Sequence, residues 1–240
     1  MKTLAVIPAR YSSTRLPGKP MIDIAGVPLV IRVLDNVSAC ASVDRVVVAT
    51  DDERIAELVS RHGGEAVMTP PELPSGGDRV AYVARLVPSD YVINVQVDDP
   101  LVGADMIDPL VAALDGDSSV MLALLVKRIE HLDEVRANNI VKAVFDCHGH
   151  ALYFSRSPVP YPRNEGGVWY KHIGPYGWRR DFLLDFAAAE QTPLEKTESL
   201  EMLRVIERGN AIKCVTAVRD TIEIDTPEDL IKIEKYFSGL

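Results

Sequence analysis

The chain opens with a short apolar run, Leu4-Ala5-Val6-Ile7, that leads directly into the loop Pro8-Ala9-Arg10-Tyr11-Ser12-Ser13-Thr14-Arg15-Leu16-Pro17-Gly18-Lys19-Pro20. The run is typical of a buried strand, and the loop places Arg10, Arg15 and Lys19 among turn-forming residues. Arginine offers a planar fork and lysine a mobile point charge, so the loop can hold a polyanion such as a triphosphate. The alternative is a solvated basic loop.

Two common nucleotide-binding motifs are missing from this loop. It contains neither Gly-x-x-x-x-Gly-Lys-Ser/Thr nor Gly-x-Gly-x-x-Gly. The sequence therefore supports neither a P-loop ATPase nor a dinucleotide-binding fold.

Composition narrows the class of protein. The 240 residues are 47% hydrophobic, which is enough for one large domain, and the net charge of −9 argues against general binding to nucleic acids or anionic membranes. The chain shows no signal-peptide pattern at its start and no apolar run near 18 residues, so we expect a soluble cytoplasmic protein. Three well-separated cysteines indicate reduced thiols rather than disulfides or a zinc site.

Strand-like and helix-like segments alternate through the first half of the chain. Apolar runs predict strands, and apolar residues at helical spacing predict helices. The predicted strands are 4–7, 46–49, 65–68 and 91–95, and the predicted helices are 28–37, one opening at 52–54, and 78–86. This order predicts an α/β fold in which helices cover both faces of a mostly parallel sheet.

Ligands of such open sheets bind at the carboxyl ends of the strands. Four polar features fall at this edge of the predicted sheet: the opening loop, Thr50-Asp51-Asp52, the loop around Ser75, and Gln96-Val97-Asp98-Asp99. We therefore expect them to form one site.

The pattern changes in the second half. Strand candidates at 120–126, 140–145, 151–154 and 171–178 have little helix between them, which indicates an antiparallel β excursion. We place it at about 127–180, inside a single domain of residues 1–240. The remaining predicted elements are helices at 180–188 and 194–207, a strand at 212–218, and a last helix from Pro227 to about Phe237 with Thr226 as N-cap.

Two adjacent carboxylates, Asp98 and Asp99, follow a predicted buried strand. Such a pair repels unless one member binds a cation. Mg²⁺ prefers oxygen ligands and usually shares them with substrate phosphates, so Asp98 and Asp225 together are candidate ligands. Thr226 already fills the N-cap position, which leaves Asp225 available. The alternative is a solvated acidic turn.

Two arginines, Arg156 and Arg163, flank a proline-rich segment at 157–162. The stiff segment would hold the two guanidinium groups at a fixed separation, which suits a carboxylate or another oxyanion. A surface salt-bridge pair is the alternative. His172, on a predicted strand, fits a core or interface position as well as it fits a ligand contact.

Motifs occur in a fixed order along the chain. They are Pro8-Ala9-Arg10-Tyr11-x-Ser13-x-Arg15-Leu16-Pro17-Gly18-Lys19-Pro20, Ala49-Thr50-Asp51, Ser75-Gly76, Asn94-Val95-Gln96-x-Asp98, Ala151-Leu152-Tyr153-Phe154-Ser155-Arg156, Lys171-His172-Ile173-Gly174 and Asp225-Thr226-Pro227-Glu228-Asp229. Together they resemble the 3-deoxy-manno-octulosonate (Kdo) cytidylyltransferases, also called CMP-Kdo synthetases. The resemblance spans nearly the whole chain in register.

The resemblance implies a Rossmann-like nucleotidyltransferase fold, usually a homodimer. It also implies transfer of CMP from CTP to the anomeric hydroxyl of a 2-keto sugar acid, with release of pyrophosphate and Mg²⁺ as cofactor. Arg15, Lys19 and Asp98 would be catalytic, and Asp98 and Asp225 would bind the metal. The implied nucleotide-binding residues are Pro8, Ala9, Arg10, Arg15, Lys19, Ser75, Gly76, Arg79 and Gln96. The implied acceptor-binding residues are Arg156, Arg163, His172, Tyr176 and Glu201.

The chain departs from the family pattern mainly on the acceptor side. Val97 and Asp99 replace the usual Gly and Glu around the metal-binding Asp, Ser-Gly-Thr becomes Ser75-Gly76-Gly77, and Met202 and Trp178 differ as well. If Val97, Met202 and Trp178 line the acceptor pocket, a polyhydroxylated acid loses room and hydrogen-bond partners.

Two alternatives to Kdo transfer follow from these departures. One is the same CMP transfer to a smaller carboxylate or phosphonate such as phosphonoformate. The other, of a different class, is a non-catalytic sensor that binds CTP. Because Arg15, Lys19, Asp98 and Asp225 are all present, the sequence argues against the sensor.

Overall fold

The structure is a computed structural model that describes residues 1–12 and 16–238. Its first half runs, in chain order, β1 (Thr3–Pro8), a 3-10 helix (Lys19–Met21), β2 (Asp23–Ile24), β3 (Val27–Pro28), α1 (Leu29–Ser38), β4 (Arg45–Thr50), α2 (Glu53–Arg61), β5 (Ala66–Met68), α3 (Gly76–Leu86), β6 (Tyr91–Asn94) and α4 (Ala104–Gly116).

The second half of the chain adds five strands and five helices to the described part. They are β7 (Val120–Arg128), α5 (Leu132–Arg136), β8 (Lys142–Phe145), β9 (Ala151–Ser155), β10 (Tyr170–Arg179), α6 (Arg180–Ala188), α7 (Pro193–Glu198), α8 (Met202–Glu207), β11 (Ala211–Thr216) and α9 (Pro227–Ser238). Within these described elements, none of the helices is long and apolar enough to cross a membrane.

The central sheet has the strand order β11-β7-β10-β6-β1-β4-β5. β1 is parallel to both β4 and β6, β4 is parallel to β5, and β7 is parallel to β11. Among these strands β10 runs antiparallel to both of its neighbours, β6 and β7. The prediction of a mostly parallel sheet is confirmed.

Both faces of the sheet are covered, and β1 shows why. Ala5 and Ile7 point into one apolar cluster, which contains residues of α1 and α4, while Leu4 and Val6 point into a second cluster with residues of α3 and α6. Since side chains alternate along a strand, a continuous apolar run must be buried on both sides. The polar loops are left to the edges of the sheet.

The antiparallel excursion is built on one end of β10. β8 pairs with β9 and with Tyr170 and Lys171 of β10, whereas Tyr176 to Arg179 pair with β6 in the central sheet. Between these two halves the register against β7 shifts at Ile173–Tyr176, where Gly174 has φ +65°. β10 therefore joins the excursion to the sheet, and the limits of about 127–180 for an inserted subdomain stay a prediction.

The prediction of one helix over 194–207 was wrong. The structure has two helices, α7 and α8, because Ser199 adopts a left-handed conformation with φ +53° between them. A second difference is α4, a helix of 13 residues with Pro109 inside it, which the sequence reading left unassigned. The N-cap of α9 is confirmed: Thr226 and Asp229 exchange side-chain to backbone hydrogen bonds.

Candidate active site

The opening loop leaves the carboxyl end of β1, as predicted. The Ala9 amide donates to the Ala49 carbonyl at 2.8 Å, which fastens the start of the loop to the end of β4. The exposed Arg10 guanidinium donates to the Pro74 carbonyl at 3.4 Å, so it reaches the loop that precedes α3. Arg15, the predicted triphosphate ligand, lies outside the described residues.

A tight turn brings the loop back toward the sheet. Gly18 has φ +71°, and a Cβ there would lie 3.2–3.3 Å from the Tyr11 ring. Its amide donates to the Tyr11 carbonyl at 2.9 Å. A residue with a side chain would be strained at this position. The turn delivers Lys19 to the start of the 3-10 helix, where it is only 8% exposed.

The Lys19 ammonium lies between the two carboxylates predicted to bind metal. Its Nζ donates to Asp98 Oδ2 at 2.8 Å and to Asp225 Oδ1 at 3.2 Å. A third bond goes to the Ile224 carbonyl at 2.9 Å. The structure thus brings together three predicted site residues that are 79 and 206 positions apart in sequence.

Backbone pairing explains how Asp225 reaches Asp98. The Ile224 amide donates to the Asp98 carbonyl at 2.9 Å, and the Ile224 side chain is fully buried. Thr226 then caps α9. Asp225 is therefore held between an anchored residue and a helix start, beside the end of β6.

This donor set suits a divalent cation. Magnesium is commonly held by one or two carboxylates together with phosphate oxygens and water. The Lys19 ammonium already occupies the place of a cation between the two carboxylates. Within residues 1–12 and 16–238 no cluster of three His, Cys, Asp or Glu residues could hold a metal unaided. A bound cation would therefore need oxygen ligands from the nucleotide.

A third acid, Glu223, adds to the negative charge of this site. Desolvation in the cleft, followed by the charges of Asp98, Asp99 and Asp225, raises the pKa of Glu223 to about 7, although the residue remains exposed. Burial also raises the pKa of Asp99, which is 2% exposed. The sequence held a signal for Glu223: polar and apolar residues alternate over 222–225, which puts residues 223 and 225 on one side of an extended segment.

The predicted nucleotide-binding residues Ser75, Gly76, Pro8 and Gln96 lie close together. Ser75 caps α3 through a reciprocal capping box with Asp78. A Cβ at Gly76 would lie 3.4 Å from Pro8 Cγ and 3.9 Å from Gln96 Oε1. Gly76 therefore fits closely between the end of β1 and the residues that follow β6. The N-terminus of α3 with its free amides faces this corner, a place where helices favour negative charge.

Arg79 was predicted to bind the nucleotide, but in this structure its guanidinium is bonded to other parts of the chain. It is fully buried, with Nη2 donating to Asp51 Oδ2 at 2.7 Å and Nη1 donating to the Thr69 hydroxyl and to the Pro70 carbonyl. In this structure its guanidinium braces the loops after β4 and β5. Its contact with a nucleotide stays a prediction.

A cavity of about 480 Å³ opens beside Asp98. Of the predicted acceptor residues, His172 and Tyr176 line it, together with Gln96 from the nucleotide set. Polar residues that the sequence reading missed complete the wall: Asn139, Lys171, Asp220, Thr221 and Glu223. Of these residues only Lys171, on β10, belongs to one of the quoted motifs, and the others come from the segments before β8 and after β11 that only the fold brings together.

His172 and Tyr176 form an aromatic pair in this wall, with ring centroids 4.8 Å apart. Burial lowers the pKa of His172 to about 4, so its imidazole is neutral at pH 7. Burial, followed by the charges of Glu201 and Glu223, raises the pKa of the Tyr176 phenol. Both side chains are therefore neutral hydrogen-bonding groups.

Lys171 is a cation in the same wall. Its ammonium donates to Glu134 at 2.8 Å and pairs with Asp220 at 2.7 Å. Burial tends to lower the pKa of Lys171, but its bonds and charge interactions with these two carboxylates raise it. The lysine thus stays charged and holds Asp220 at the edge of the cavity.

The two predicted acceptor arginines are placed differently from each other. The Arg156 guanidinium donates to the carbonyls of Glu198, Asn138 and Ser199 at 2.9, 3.1 and 3.4 Å. Arg163 is exposed on the segment between β9 and β10. Neither lines the cavity beside Asp98, and their contact with the acceptor stays a prediction.

Glu201 lines a neighbouring cavity of about 420 Å³. Ser75, Gly77, Asn94 and Trp178 also line this cavity. Burial raises the pKa of Glu201, while the charge of Arg204 opposes this shift. Asn94 and Gln96, whose side chains meet at 3.4 Å, border the two cavities.

The premise for a small acceptor, that Val97, Met202 and Trp178 line the acceptor pocket, stays a prediction, because Trp178 lines the cavity of about 420 Å³ together with Glu201, a predicted acceptor residue. Val97, Met202 and Trp178 are core residues, 8%, 3% and 4% exposed, and none of them lines the cavity beside Asp98. Val97 packs in one apolar cluster, and Met202 and Trp178 pack in the other. Their bulk fills the interior and leaves the cavity beside Asp98 with its polar partners.

Comparison with known proteins identifies the family. The cytidylyltransferase family model matches residues 4–213. The 3-deoxy-manno-octulosonate cytidylyltransferase of Syntrophotalea carbinolica is 44% identical over 250 residues, covering 100% of both chains. The protein of the same name from Geotalea uraniireducens is 46% identical, covering 97% of this chain and 98% of its own.

Solved structures agree with this result. CMP:2-keto-3-deoxy-manno-octonic acid synthetase complexed with CTP superposes with a TM-score of 0.96 at 38% identity, covering 100% of this chain and 99% of its own. The 4-diphosphocytidyl-2C-methyl-D-erythritol synthase of Anaerococcus prevotii, at 16% identity and a TM-score of 0.66, shares the fold. The chain belongs to the cytidylyltransferase family, among the 3-deoxy-manno-octulosonate cytidylyltransferases.

Proposed function

We propose that this chain transfers CMP from CTP to Kdo and releases pyrophosphate. The observation that carries the proposal is the arrangement of Lys19, Asp98 and Asp225 at the mouth of a polar cavity. Full-length relatives named 3-deoxy-manno-octulosonate cytidylyltransferase and the CTP-bound synthetase of the same shape support it.

The chemistry is a substitution at the α-phosphorus of CTP. The anomeric hydroxyl oxygen of the acceptor forms a bond to the α-phosphorus, the bond to the β-phosphate oxygen breaks, and the hydroxyl proton is released. Such a transfer depends on alignment and on neutralising the charge of the phosphates. Lys19 and the loop around it supply positive charge, while β1 and β6 fix the direction of approach.

We further propose Mg²⁺ as the cofactor, held by Asp98 and Asp225. When bound, the cation would neutralise phosphate charge and orient the reacting oxygens. The role of the chain is to keep the two carboxylates side by side, through the bond between the Ile224 amide and the Asp98 carbonyl. Lys19 would give up its place between them and turn to the phosphates.

The polar wall of the cavity favours a polyhydroxylated acceptor. Carboxylate and amide oxygens accept hydrogen bonds from sugar hydroxyls, and Asn139, Gln96, Asp220 and Glu223 offer such groups. A small phosphonate would leave several of them without a partner, at a cost of roughly 1–3 kcal/mol each. Kdo is therefore the acceptor that we propose.

The test is pyrophosphate release with CTP, Mg²⁺ and a panel of acceptors. We expect turnover with Kdo and at least roughly a hundredfold lower kcat/KM with phosphonoformate, since a site built around hydroxyl groups discriminates strongly against an acceptor that lacks them. Turnover that is equal or higher with phosphonoformate would contradict the proposed acceptor. CTP binding without turnover of any acceptor would instead support a sensor.

We also propose that the protein forms a homodimer through the antiparallel excursion. Exposed apolar side chains are carried by β9 and by the segment that joins it to β10, namely Leu152, Tyr161 and Val168. Clustered apolar residues at a surface often mark a protein interface.

A further inference from the structure

Lys142 is a charged residue buried inside the excursion. It lies on β8 and is 0% exposed. Its Nζ donates to the carbonyls of Ala137, Ile140 and Arg156 at 2.8, 2.7 and 2.5 Å. An ammonium group has three donors, so these three bonds satisfy it completely. A buried charge is costly, and a fold that keeps one must hold its partners accurately.

The three carbonyls belong to parts of the chain that border the proposed acceptor cavity. Ala137 and Ile140 lie at the two ends of the segment that leads from α5 into β8. Asn139, Ile140 and Val141 of this region line the cavity. The ammonium therefore ties two carbonyls of this segment to the carbonyl of Arg156, the residue after the end of β9.

We call the three bonds of the Lys142 ammonium, together with the bonds of Arg156, the clamp. Through Arg156 it extends to a third part of the chain. The Arg156 carbonyl accepts from Lys142, while its guanidinium donates to Asn138 on the same wall and to Glu198 and Ser199 after α7. The Glu198 carboxylate accepts from the Arg156 amide at 3.0 Å and from the Ser155 hydroxyl at 2.6 Å. The wall, β9 and the turn before α8 are thus bound into one unit.

We infer that Lys142 is a positioning residue for the acceptor, whose ammonium fixes the cavity wall at 139–141. The inference rests on the proposed function, because it takes the cavity beside Asp98 as the acceptor site. The nucleotide side of the site is anchored separately, on β1, β6 and the N-terminus of α3. Loss of the clamp should therefore affect the acceptor and spare CTP.

The test is Lys142→Met, which keeps the length of the side chain and removes its donors. Three carbonyls then lose their partner, and the wall can relax. We expect KM for Kdo to rise about tenfold, with KM for CTP and kcat changed by less than about twofold. A general loss of stability would not produce this split between the two substrates.

Arg179→Met is the matched control. The Arg179 guanidinium also donates to three carbonyls, those of Val120, Leu114 and Asp117, at 2.8, 2.6 and 2.9 Å. It lies at the other end of β10, outside both cavities. This variant should lower the Tm and leave KM for Kdo unchanged.

Ser155→Ala keeps the test decisive if Lys142→Met does not fold. It leaves Lys142 in place and removes the hydroxyl bond to Glu198, so KM for Kdo should rise about threefold, again without a change for CTP. Equal effects on both substrates, or an unchanged KM for Kdo in every folded variant, would overturn the inference alone. Absence of Kdo turnover in the wild type would instead overturn the proposed function.

Discussion

Lys19 pairs with two carboxylates in this structure, and under the proposed function it would exchange them for the phosphates of CTP. Its ammonium neutralises Asp98 and Asp225, which would otherwise repel each other across the end of β6. A triphosphate with its metal brings both a competing cation for the carboxylates and competing anions for the lysine. In the proposed exchange each charge would keep a partner of opposite sign.

Asp98→Asn tests the carboxylate site directly. The amide has the same shape but is a poor ligand for a hard cation. We expect kcat to fall roughly a hundredfold or more, the scale seen when one electrostatic contact to a transition state is removed. The free energy of unfolding should change by less than about 2 kcal/mol, since Asp225 and the Ile224 carbonyl still hold Lys19.

The measurements are pyrophosphate release and urea denaturation. Glu57→Gln is the control, because it neutralises a carboxylate in an exposed ion pair with Arg61 on α2, far from the site. Its activity should match that of the wild type. Unchanged turnover in Asp98→Asn would refute the metal assignment.

The buried imidazole of His172 predicts a loss of stability in acid. Its pKa is about 4 in the folded protein against an ordinary 6.5, so below pH 6.5 the unfolded chain takes up a proton that the folded chain refuses. The free energy of unfolding then falls as the pH falls, by up to about 1.4 kcal/mol per pH unit and about 3 kcal/mol in all between pH 6.5 and 4.

The comparison with His172→Phe isolates this effect. Between pH 7 and 5 the wild type should lose about 2 kcal/mol of unfolding free energy relative to the variant. Glu223, whose pKa is raised to about 7, acts in the opposite direction over part of this range, but it is present in both proteins and cancels in the difference. Parallel pH profiles for the two proteins would show that His172 is not protected from protonation.

Elements follow the sequence where local signals and packing agree. The apolar run of β1 and the alternation of strands and helices predicted the parallel half correctly, because such a run is stable only with both faces covered. The prediction of one helix over 194–207 failed, because the helical spacing of apolar residues continues across Ser199, where the helix ends. A serine does not predict the left-handed conformation that ends α7 here, where the Ser199 and Leu200 amides both donate to the Glu195 carbonyl.

Ser199→Gly tests that explanation. A left-handed conformation costs a non-glycine residue about 1–2 kcal/mol, and glycine removes this cost. Part of the gain is lost again, because glycine makes the unfolded chain more flexible. The Ser199 side chain is exposed, and the clamp uses only its carbonyl. We therefore expect the substitution to raise the free energy of unfolding by about 0.5–1 kcal/mol.

The matched control is the same chemical change inside a regular helix. Ser60 is exposed on α2, where glycine should lower the free energy of unfolding by about 0.5 kcal/mol. Both values come from urea denaturation of the purified variants. If Ser199→Gly also destabilised the protein, tertiary contacts rather than backbone strain would dominate at this break.

At the scale of the whole molecule, the meeting of Lys19, Asp98 and Asp225 could be predicted, whereas most of the polar wall of the cavity beside them could not. Lys19 lies in the loop after β1, Asp98 follows β6, and Asp225 precedes the cap of α9, each within one compact motif. The loop after β1 and the residues after β6 meet because parallel strands end at one edge of the sheet. The proposed acceptor cavity instead takes Asn139 from the segment before β8, Lys171 from β10, and Asp220 and Glu223 from the segment after β11. Polar residues scattered in this way carry no spacing that a single sequence can reveal.

The proposed homodimer can be tested by its mass in solution and by substitutions in the antiparallel excursion. We expect sedimentation of the wild type at about twice the chain mass of 26.4 kDa. The double variant Leu152→Ser and Tyr161→Ser should sediment as a monomer, because these side chains, 57% and 83% exposed in the single chain, would lose the apolar contact that holds a partner.

Leu86→Ser is the control for this experiment. Leu86 is 59% exposed at the end of α3, outside the excursion, and its replacement should leave the mass unchanged. A monomeric variant that keeps its turnover with Kdo would show that one chain is sufficient for the reaction. A wild-type protein that sediments at 26.4 kDa would contradict the dimer, whereas monomers without activity would indicate that a partner subunit completes the site.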